Sequence, residues 1–367
     1  MGDAMLIAIL LPNLSGGGAE RVMIDLAREI ALRGYEIEFV LMREEGEFLP
    51  EARAEFSIVN LASSRTRGVP FALAKYLHRR KPRAVIANMW PLTSSAVLGR
   101  LIAFHKCKLM LVEHSILSHE YAPRGRIHNT IMALIISATY RLADVVVAVS
   151  KGSAKDTAYL AALAKDRVEV VYNPIPQRTM PETYQSQIIE KFWGYTSSER
   201  ILAVGSLKSE KNYNLLLRSF AILTHKNAQL MILGKGKDES KLRDITKELD
   251  ISDRVIFAGF QADPAPFYAT ADLFVLSSDY EGFGNVIVEA LSFGLPVVST
   301  DCPSGPAEIL QNGRFGRLVP VGSSVHLAKA MDASLDETVS SNDQKRRASD
   351  FSPEIAARKY LELLKLL

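Results

Sequence analysis

Cysteine is scarce in this sequence: only Cys107 and Cys302 occur in 367 residues, and they lie far apart. Two thiols so placed give no disulfide framework, and without a signal-peptide pattern the expectation is a reducing, cytoplasmic setting. Long apolar runs are missing too. The longest, Thr130 to Tyr140 (TIMALIISATY), falls short of the ~20 residues that span a bilayer, so a soluble or peripheral protein is expected. No Asp-x-Asp pair is present, and no His/Cys cluster has metal-ligand spacing, so nothing visible requires a divalent ion. The glycines Gly16 to Gly18 lack the G-x-G-x-x-G spacing, which disfavours a dinucleotide dehydrogenase. No nucleic-acid-binding motif occurs either, so nucleic acid is not an expected partner.

What is present points to two α/β domains. The chain is 48% hydrophobic and longer than the ~250–300 residues at which single cores stop growing. Short apolar runs at Met5 to Leu11, Ile37 to Leu41, Ala84 to Ala87, Lys108 to Glu113, Val145 to Val149 and Val168 to Val171 alternate with helical patterns, the βαβ signature of a parallel sheet. In the first helix, Ala19, Val22, Met23, Leu26, Ala27 and Ile30 share one face and Gly34 ends it. The pattern restarts with runs at Ile201 to Val204, Leu230 to Leu233, Val255 to Phe257, Leu273 to Leu276, Val297 to Ser299 and Arg317 to Val319. Helices are expected near 213–225, 238–248, 285–293 and 325–335. Between the sets, Asn173-Pro174-Ile175-Pro176 and the polar stretch Gln177 to Gln187 read as a linker. The expected domains are therefore 1–175 and 176–345. After a polar stretch around Ser340 to Lys345, the closing segment 346–367 holds a helix from Pro353 to Leu367 that can return to the N-terminal domain or stay with the second.

The net charge of +3 is unevenly spread. Residues 1–175 hold 22 basic and 17 acidic side chains, net +5, whereas residues 176–367 hold 22 and 24, net −2. Between Glu55 and Glu113 no acidic residue occurs, while ten basic ones do, from Arg65 to Lys108. Such an interval suits an anionic partner, a membrane surface among them, or else a set of solvated helix faces.

Three segments are candidates for chemistry. Ser15-Gly16-Gly17-Gly18-Ala19-Glu20-Arg21 joins the first strand to the first helix, where bare backbone and free helix-end N–H groups suit an anion or sugar phosphate, although a plain turn would look the same. The run Ser278 to Ala290 (SDYEGFGNVIVEA) leads from a strand into a helix and places Glu281 beyond the strand's carboxyl end, where open α/β sheets bind ligands. Eight positions on, Glu289 lies in an apolar helix; it either reaches ribose hydroxyls toward the cleft or complements the helix dipole. Ser304-Gly305-Pro306-Ala307-Glu308 can start another helix whose amides cradle a phosphate. His114 ends the strand Lys108 to Glu113 at its carboxyl edge, whereas His105, His119 and His128 read as surface or packing residues.

Glu281 and Glu289 in EGFGNVIVE, the loop SGGGAER and the stretch Val204-Gly205-Ser206-Leu207-Lys208-Ser209-Glu210-Lys211-Asn212 together resemble the family 4 retaining glycosyltransferases, in order along nearly the whole chain. The resemblance implies a GT-B fold, with two Rossmann-like doubly wound parallel-sheet domains facing a cleft. It implies a nucleotide-sugar donor held mainly by the C-terminal domain and an acceptor held mainly by the N-terminal one. Lys211 then corresponds to the cation that steadies the departing diphosphate, Glu281 holds sugar hydroxyls, and His114 meets the transferred sugar. Gly17, Gly18, Gly205, Ser206, Gly282, Phe283, Gly284, Asn285, Val286, Glu289, Ser304 and Gly305 would complete the donor site, with Gly16 and Arg21 toward the acceptor. One departure stands out: Ser206 occupies a position where many relatives carry Arg, leaving Lys211 with Lys208 as a stand-in. The expectations that follow are metal-independent hexosyl transfer with retained configuration, no cofactor beyond a uridine-based co-substrate, and a glycan or lipid-linked acceptor in surface polysaccharide or oligosaccharide assembly. A GT-B-like epimerase or phosphorylase and a non-catalytic nucleotide-sugar-binding subunit are the rivals; the resemblance leaves sugar, linkage and oligomeric state open.

Overall fold

Strands that read as unbroken apolar runs belong to sheets covered on both faces, and parallel sheets are of that kind. The computed structural model, which describes residues 5–193 and 199–367, contains two of them. The first sheet has seven strands in the order β3-β2-β1-β4-β5-β6-β7, all neighbours parallel. They are β1 (Leu6–Leu11), β2 (Glu36–Leu41), β3 (Ser57–Asn60), β4 (Ala84–Asn88), β5 (Lys108–Glu113), β6 (Val145–Ala148) and β7 (Val168–Val170). The connecting helices are α1 (Gly18–Ala31), α2 (Leu49–Glu55), α3 (Val69–Arg80), α4 (Leu92–Ala103), α5 (Leu117–Glu120), α6 (Arg126–Tyr140) and α7 (Lys151–Leu160). Alternate residues of the central strands, such as Leu10, Ala87, Leu111 and Ala148, form one core with the inward faces of α3, α4, α6 and α7. Ile7, Ile9 and Leu11 are buried as well and point to the opposite face.

The second sheet has six strands, β10-β9-β8-β11-β12-β13, again all parallel. They are β8 (Arg200–Val204), β9 (Gln229–Leu233), β10 (Val255–Gly259), β11 (Leu273–Leu276), β12 (Val297–Thr300) and β13 (Arg317–Val319). Its helices are α8 (Glu182–Ile188), α9 (Tyr213–Ala221), α10 (Glu239–Glu248), α11 (Ala265–Tyr268), α12 (Asn285–Ser292), α13 (Pro306–Ile309), α14 (Ser324–Asp336) and α15 (Ser341–Ser349). In each sheet the strand order reverses once, between β1 and β4 and between β8 and β11. Those reversals are the switch points where loops on the two sides diverge and leave room for a ligand at the strands' carboxyl ends.

The chain divides into two units, one reaching Pro174 and joined by Pro353–Leu367, the other spanning Ile175–Ser352. Three expectations need correction. The stretch Gln177 to Gln187 is not all linker, because α8 begins at Glu182 and runs into a π-helical turn, Ile189–Trp193. Trp193 secures that turn: it is buried, and its indole N–H donates to Thr270 Oγ1 at 3.1 Å. The polar segment near Ser340 to Lys345 is helical, since Ser340 caps α15 through Asp343 N and α15 packs on α12 with Gln344 and Ala348 turned inward. Residues 346–352 accordingly belong with the second unit and not with the closing helix.

The closing helix α16 (Pro353–Leu364) lies in the first unit, against α1 and β5. Lys359 Nζ donates to Val170 O at 2.6 Å, and Tyr35 Oη donates to Leu366 O at 2.5 Å. Tyr360, 1% exposed, is among the largest fully buried side chains. Tyr360→Ala should therefore lower stability by roughly 3–5 kcal/mol in urea unfolding, as large-to-small core changes do; a loss below ~1 kcal/mol would show that the helix merely rests on the surface.

Candidate active site

In the second unit, chemistry gathers on two loops that leave adjacent strands at the switch point. The loop after β8 carries Lys211 and the loop after β11 carries Glu281. Lys211 Nζ donates to both Glu281 oxygens, Oε1 at 2.7 Å and Oε2 at 2.9 Å. Glu281 is only 8% exposed, and Ser278 Oγ donates to its Oε1 at 2.6 Å. For a carboxylate so enclosed, those donors take the place of water. The two loops are also bound by Ser277 Oγ to Lys211 O (2.8 Å), Asn212 Nδ2 to Asp279 Oδ1 (2.7 Å) and Asp279 N to Glu210 O (2.8 Å). Asn212 adopts a left-handed conformation, φ +45°, and caps α9 through Leu215 N, which ends the loop sharply and sets where Lys211 projects.

Glycines let the neighbouring backbones close in. A Cβ on Gly234 would overlap the Gly205 carbonyl, and one on Gly305, at φ +99°, would overlap the Phe283 carbonyl. The EGFG turn thus sits directly on the Ser304-Gly305 turn, with Ser304 Oγ donating to Gly282 O at 3.3 Å. Gly284, at φ +99°, opens α12, whose first residues are Asn285 and Val286. Glu289 accepts a hydrogen bond from Tyr268 Oη at 2.8 Å; burial and the Glu289 charge push that phenol well above its ordinary range. Cys302, buried beside the pair, has its thiol raised to about 12, first by burial and then by the Glu281 charge. Phe283 is buried edge-on against Phe351, so its role here is packing. Ser206 and Lys208 share the turn before Lys211; Lys208 is exposed, and Lys235, over the Phe260 ring at 5.2 Å, is a further cation on the loop after β9. Among the described residues, no three or more His, Cys, Asp or Glu side chains gather as a metal site.

In the first unit, His114 follows β5 directly. Its Nε2 lies 3.0 Å from Asn88 Oδ1, and Asn88, fully buried at the end of β4, is fixed by donating to Leu10 O and Ile86 O. Burial lowers the His114 pKa to about 4, so the ring is neutral near pH 7 and the Asn88 contact assigns the proton to Nε2. Glu113, one residue earlier and fully buried, was not singled out by the sequence reading, although an acid ending the apolar run KLMLV is a visible anomaly. It accepts from Tyr140 Oη, from Thr93 Oγ1 at 3.0 Å and from Trp90 N at 3.3 Å. Burial nevertheless raises its pKa to about 7, those three donors only partly offsetting the desolvation.

The glycine loop after β1 meets partners within its own unit. Gly16 N donates to Glu47 Oε2 at 2.9 Å, so a carboxylate occupies the amide expected to face a ligand. Gly17 precedes α1 in an extended conformation, and a Cβ there would meet the Glu20 carboxylate. Gly18 is the first residue of α1. Arg21 is gripped by Glu51 at 2.6 and 2.7 Å and lies 4.1 Å over the Phe48 ring. Arg21 and Arg28 hold the Glu51 carboxyl down to about 2.

Two parallel-sheet Rossmann-like units, each with polar groups at a switch point, define a GT-B protein of the nucleotide-sugar class. Family models agree: that of glycosyl transferases group 1 matches residues 186–351, and that of glycosyltransferase family 4 matches residues 16–178. Together the two models identify a glycosyltransferase of the family 4 type. It is 27% identical to a Campylobacter jejuni N-acetylgalactosamine-N,N'-diacetylbacillosaminyl-diphospho-undecaprenol 4-alpha-N-acetylgalactosaminyltransferase, over 98% of this chain and 99% of that one. It is 24% identical to the amylovoran biosynthesis glycosyltransferase AmsD of Erwinia amylovora, over 98% and 99%. Among solved structures, Anabaena HepE in complex with UDP and glucose superimposes with a TM-score of 0.86 at 22% identity, covering 99% of this chain and 100% of that one.

Glu113 and His114 set opposite pH dependences. The raised Glu113 contributes stability that is present below its unfolded pKa and lost as pH climbs through about 7. The lowered His114 contributes stability that is present above its unfolded pKa and lost as pH falls toward about 4. Glu113→Gln removes the first and keeps the second, so from pH ~7 down to ~4.5 the variant's stability should fall more steeply than the parent's. Parallel pH profiles of the two proteins in urea melts would refute the buried-acid assignment.

Proposed function

We propose that this enzyme transfers a hexosyl or N-acetylhexosaminyl group from a UDP-sugar, with retained anomeric configuration and without a metal ion. The acceptor in this reading is a glycan or lipid-linked glycan presented at an anionic membrane surface on its cytoplasmic face. The bidentate Lys211–Glu281 pair at the β8/β11 switch point carries the reading. A diphosphate arriving there offers Lys211 a stronger anion, and the transferred sugar offers hydroxyl donors to Glu281 in return. Lys211 would then face the charge that develops on the leaving group, fixed in place before the reaction. The α12 amides beyond Gly284, with those beyond Gly305, would hold phosphate oxygens, while Glu289 would take the ribose hydroxyls.

Retention follows if the acceptor hydroxyl attacks from the face that the diphosphate leaves. The bond from the anomeric carbon to the phosphate oxygen breaks as the new glycosidic bond forms, and the acceptor proton passes to the departing phosphate. His114, neutral and held by Asn88, suits a hydrogen bond to the sugar and not a proton transfer. Metal independence is supported by a lysine where charge must be neutralised and by the lack of an Asp-x-Asp pair. The uridine donor and the lipid-linked or polysaccharide acceptor are supported by what relatives are named for: UDP with HepE, a diphospho-undecaprenol glycan with the Campylobacter enzyme and amylovoran with AmsD.

The expected result of a thermal-shift screen is stabilisation by UDP-sugars above GDP- and ADP-sugars, since a ligand of the native state alone raises the melting temperature. No response to any nucleotide would end the proposal. Glu281→Gln and Lys211→Ala should each lower kcat by at least about a hundredfold. Lys211→Ala strands a buried carboxylate, so the double variant Lys211→Ala/Glu281→Gln serves as the fold control. Near-parent turnover in the folded single variants would remove both residues from the mechanism, and an inverted product in proton NMR would remove retention.

A further inference from the structure

Exposed large apolar side chains of the first unit are densest on α4, α6 and the turns that follow them, with others, such as Leu32, Phe71 and Tyr159, standing singly. On α4, Leu101 and Ile102 are 48% and 44% exposed, and Phe104 just beyond is 94% exposed. On α6, Ile127, Ile131 and Leu134 are 80%, 52% and 65% exposed. Their spacing puts them on one stripe of α6, opposite the stripe of Met132, Ile136 and Tyr140 that enters the core. A helix that is apolar on both sides is ordinarily buried on both. The helices lie side by side: Ser94 Oγ and Thr139 Oγ1 are 2.9 Å apart, and Arg100 donates to Leu142 O and to Asp144. Both helices cover the same face of the sheet, so their outward stripes look away from the core on the same side of the unit.

The charge on and beside the two helices is mostly positive. Neither 92–103 nor 126–140 contains an Asp or Glu, and exposed Lys106, Arg124, Arg126 and Arg141 border them. Of the flanking acids, Asp144 is paired with Arg100 and Lys108, and Glu120, which accepts from Ser115 Oγ, is the one left to set against the cations. A second copy docked face to face would set these cations against their own images. A bilayer-spanning role fails on length, since α6 has 15 residues against the ~20 needed, and its inner stripe is committed to the core. An anionic bilayer answers both features, taking the apolar stripe among its acyl chains and the cations at its headgroups.

We propose that the outward face of α4 and α6 is a docking surface for an anionic lipid bilayer, seating the enzyme where a lipid-linked acceptor is presented. The proposal deepens the acceptor reading above and rests on it for its purpose, whereas the patch rests on exposure and charge alone. The test is co-sedimentation of the full chain with vesicles that carry no glycolipid, made of phosphatidylcholine alone or of equal parts phosphatidylcholine and phosphatidylglycerol. Binding should require phosphatidylglycerol and weaken several-fold at about 0.5 M salt. The double variant Leu101→Glu/Ile131→Glu should lose at least about tenfold in vesicle affinity while its melting temperature and its thermal shift with UDP stay at parent values. Unchanged binding by the folded double variant would overturn the proposal. So would failure of the parent chain to bind anionic vesicles, or sedimentation as a dimer that the same two substitutions dissolve. Because the vesicles lack acceptor, the readings fail separately: vesicle binding by an enzyme that glycosylates only soluble glycans keeps the docking surface and removes the lipid-linked acceptor.

Discussion

A single ion pair organises the second unit's switch point. Glu281 lies almost out of water, and a carboxylate in that state needs hydrogen-bond donors in place of water. Lys211 supplies two hydrogen bonds and Ser278 one, so the loops after β8 and β11 cannot move independently. Removing either member of a buried pair costs about 3–5 kcal/mol, because the survivor is left without compensation. The same constraint bears on the chemistry proposed for the pair. A ligand that brings both an anion and hydroxyl donors can exchange partners with Lys211 and Glu281 without leaving either charge bare, whereas a ligand bringing only one of these cannot.

The glycines of this region serve the pair. With Gly305 pressed on the Phe283 carbonyl and Gly234 on that of Gly205, the turns after β8, β9, β11 and β12 stack with no side chain between them. The first unit solves a related problem differently. Its glycine loop carries carboxylates of its own, Glu47 on the Gly16 amide and Glu51 on Arg21, so the anion-receptive groups there are already answered.

What was legible in the sequence follows from how each element is stabilised. The central strands announce themselves because burial on both faces demands unbroken apolar runs, and Glu281 stands out because it follows such a run into a glycine turn. β3 was missed because SIVN sits at a sheet edge, with its ends exposed and its middle half-buried. α15 was missed because its sequence, SNDQKRRAS, has no apolar period; a serine cap and the contact with α12 hold it. The Arg21–Glu51 pair joins residues thirty positions apart, beyond the reach of spacing arguments. The run Thr130 to Tyr140 was legible as apolar but not as two-sided. Only the fold shows that Ile136 and Tyr140 face the core while Ile131 and Leu134 face outward.

Glu113 and His114 show why a residue's neighbours matter more than its type. They are adjacent, both lie at the end of β5, and burial acts on both, yet it makes the acid hold its proton and the base refuse one. The result is a pair of groups that are both largely uncharged in the same pH range. A neutral ring can still orient a sugar by donating or accepting one hydrogen bond. The end of β5 is thereby kept close to neutral between about pH 4 and 7, so that His114 can offer a hydrogen bond and not a charge.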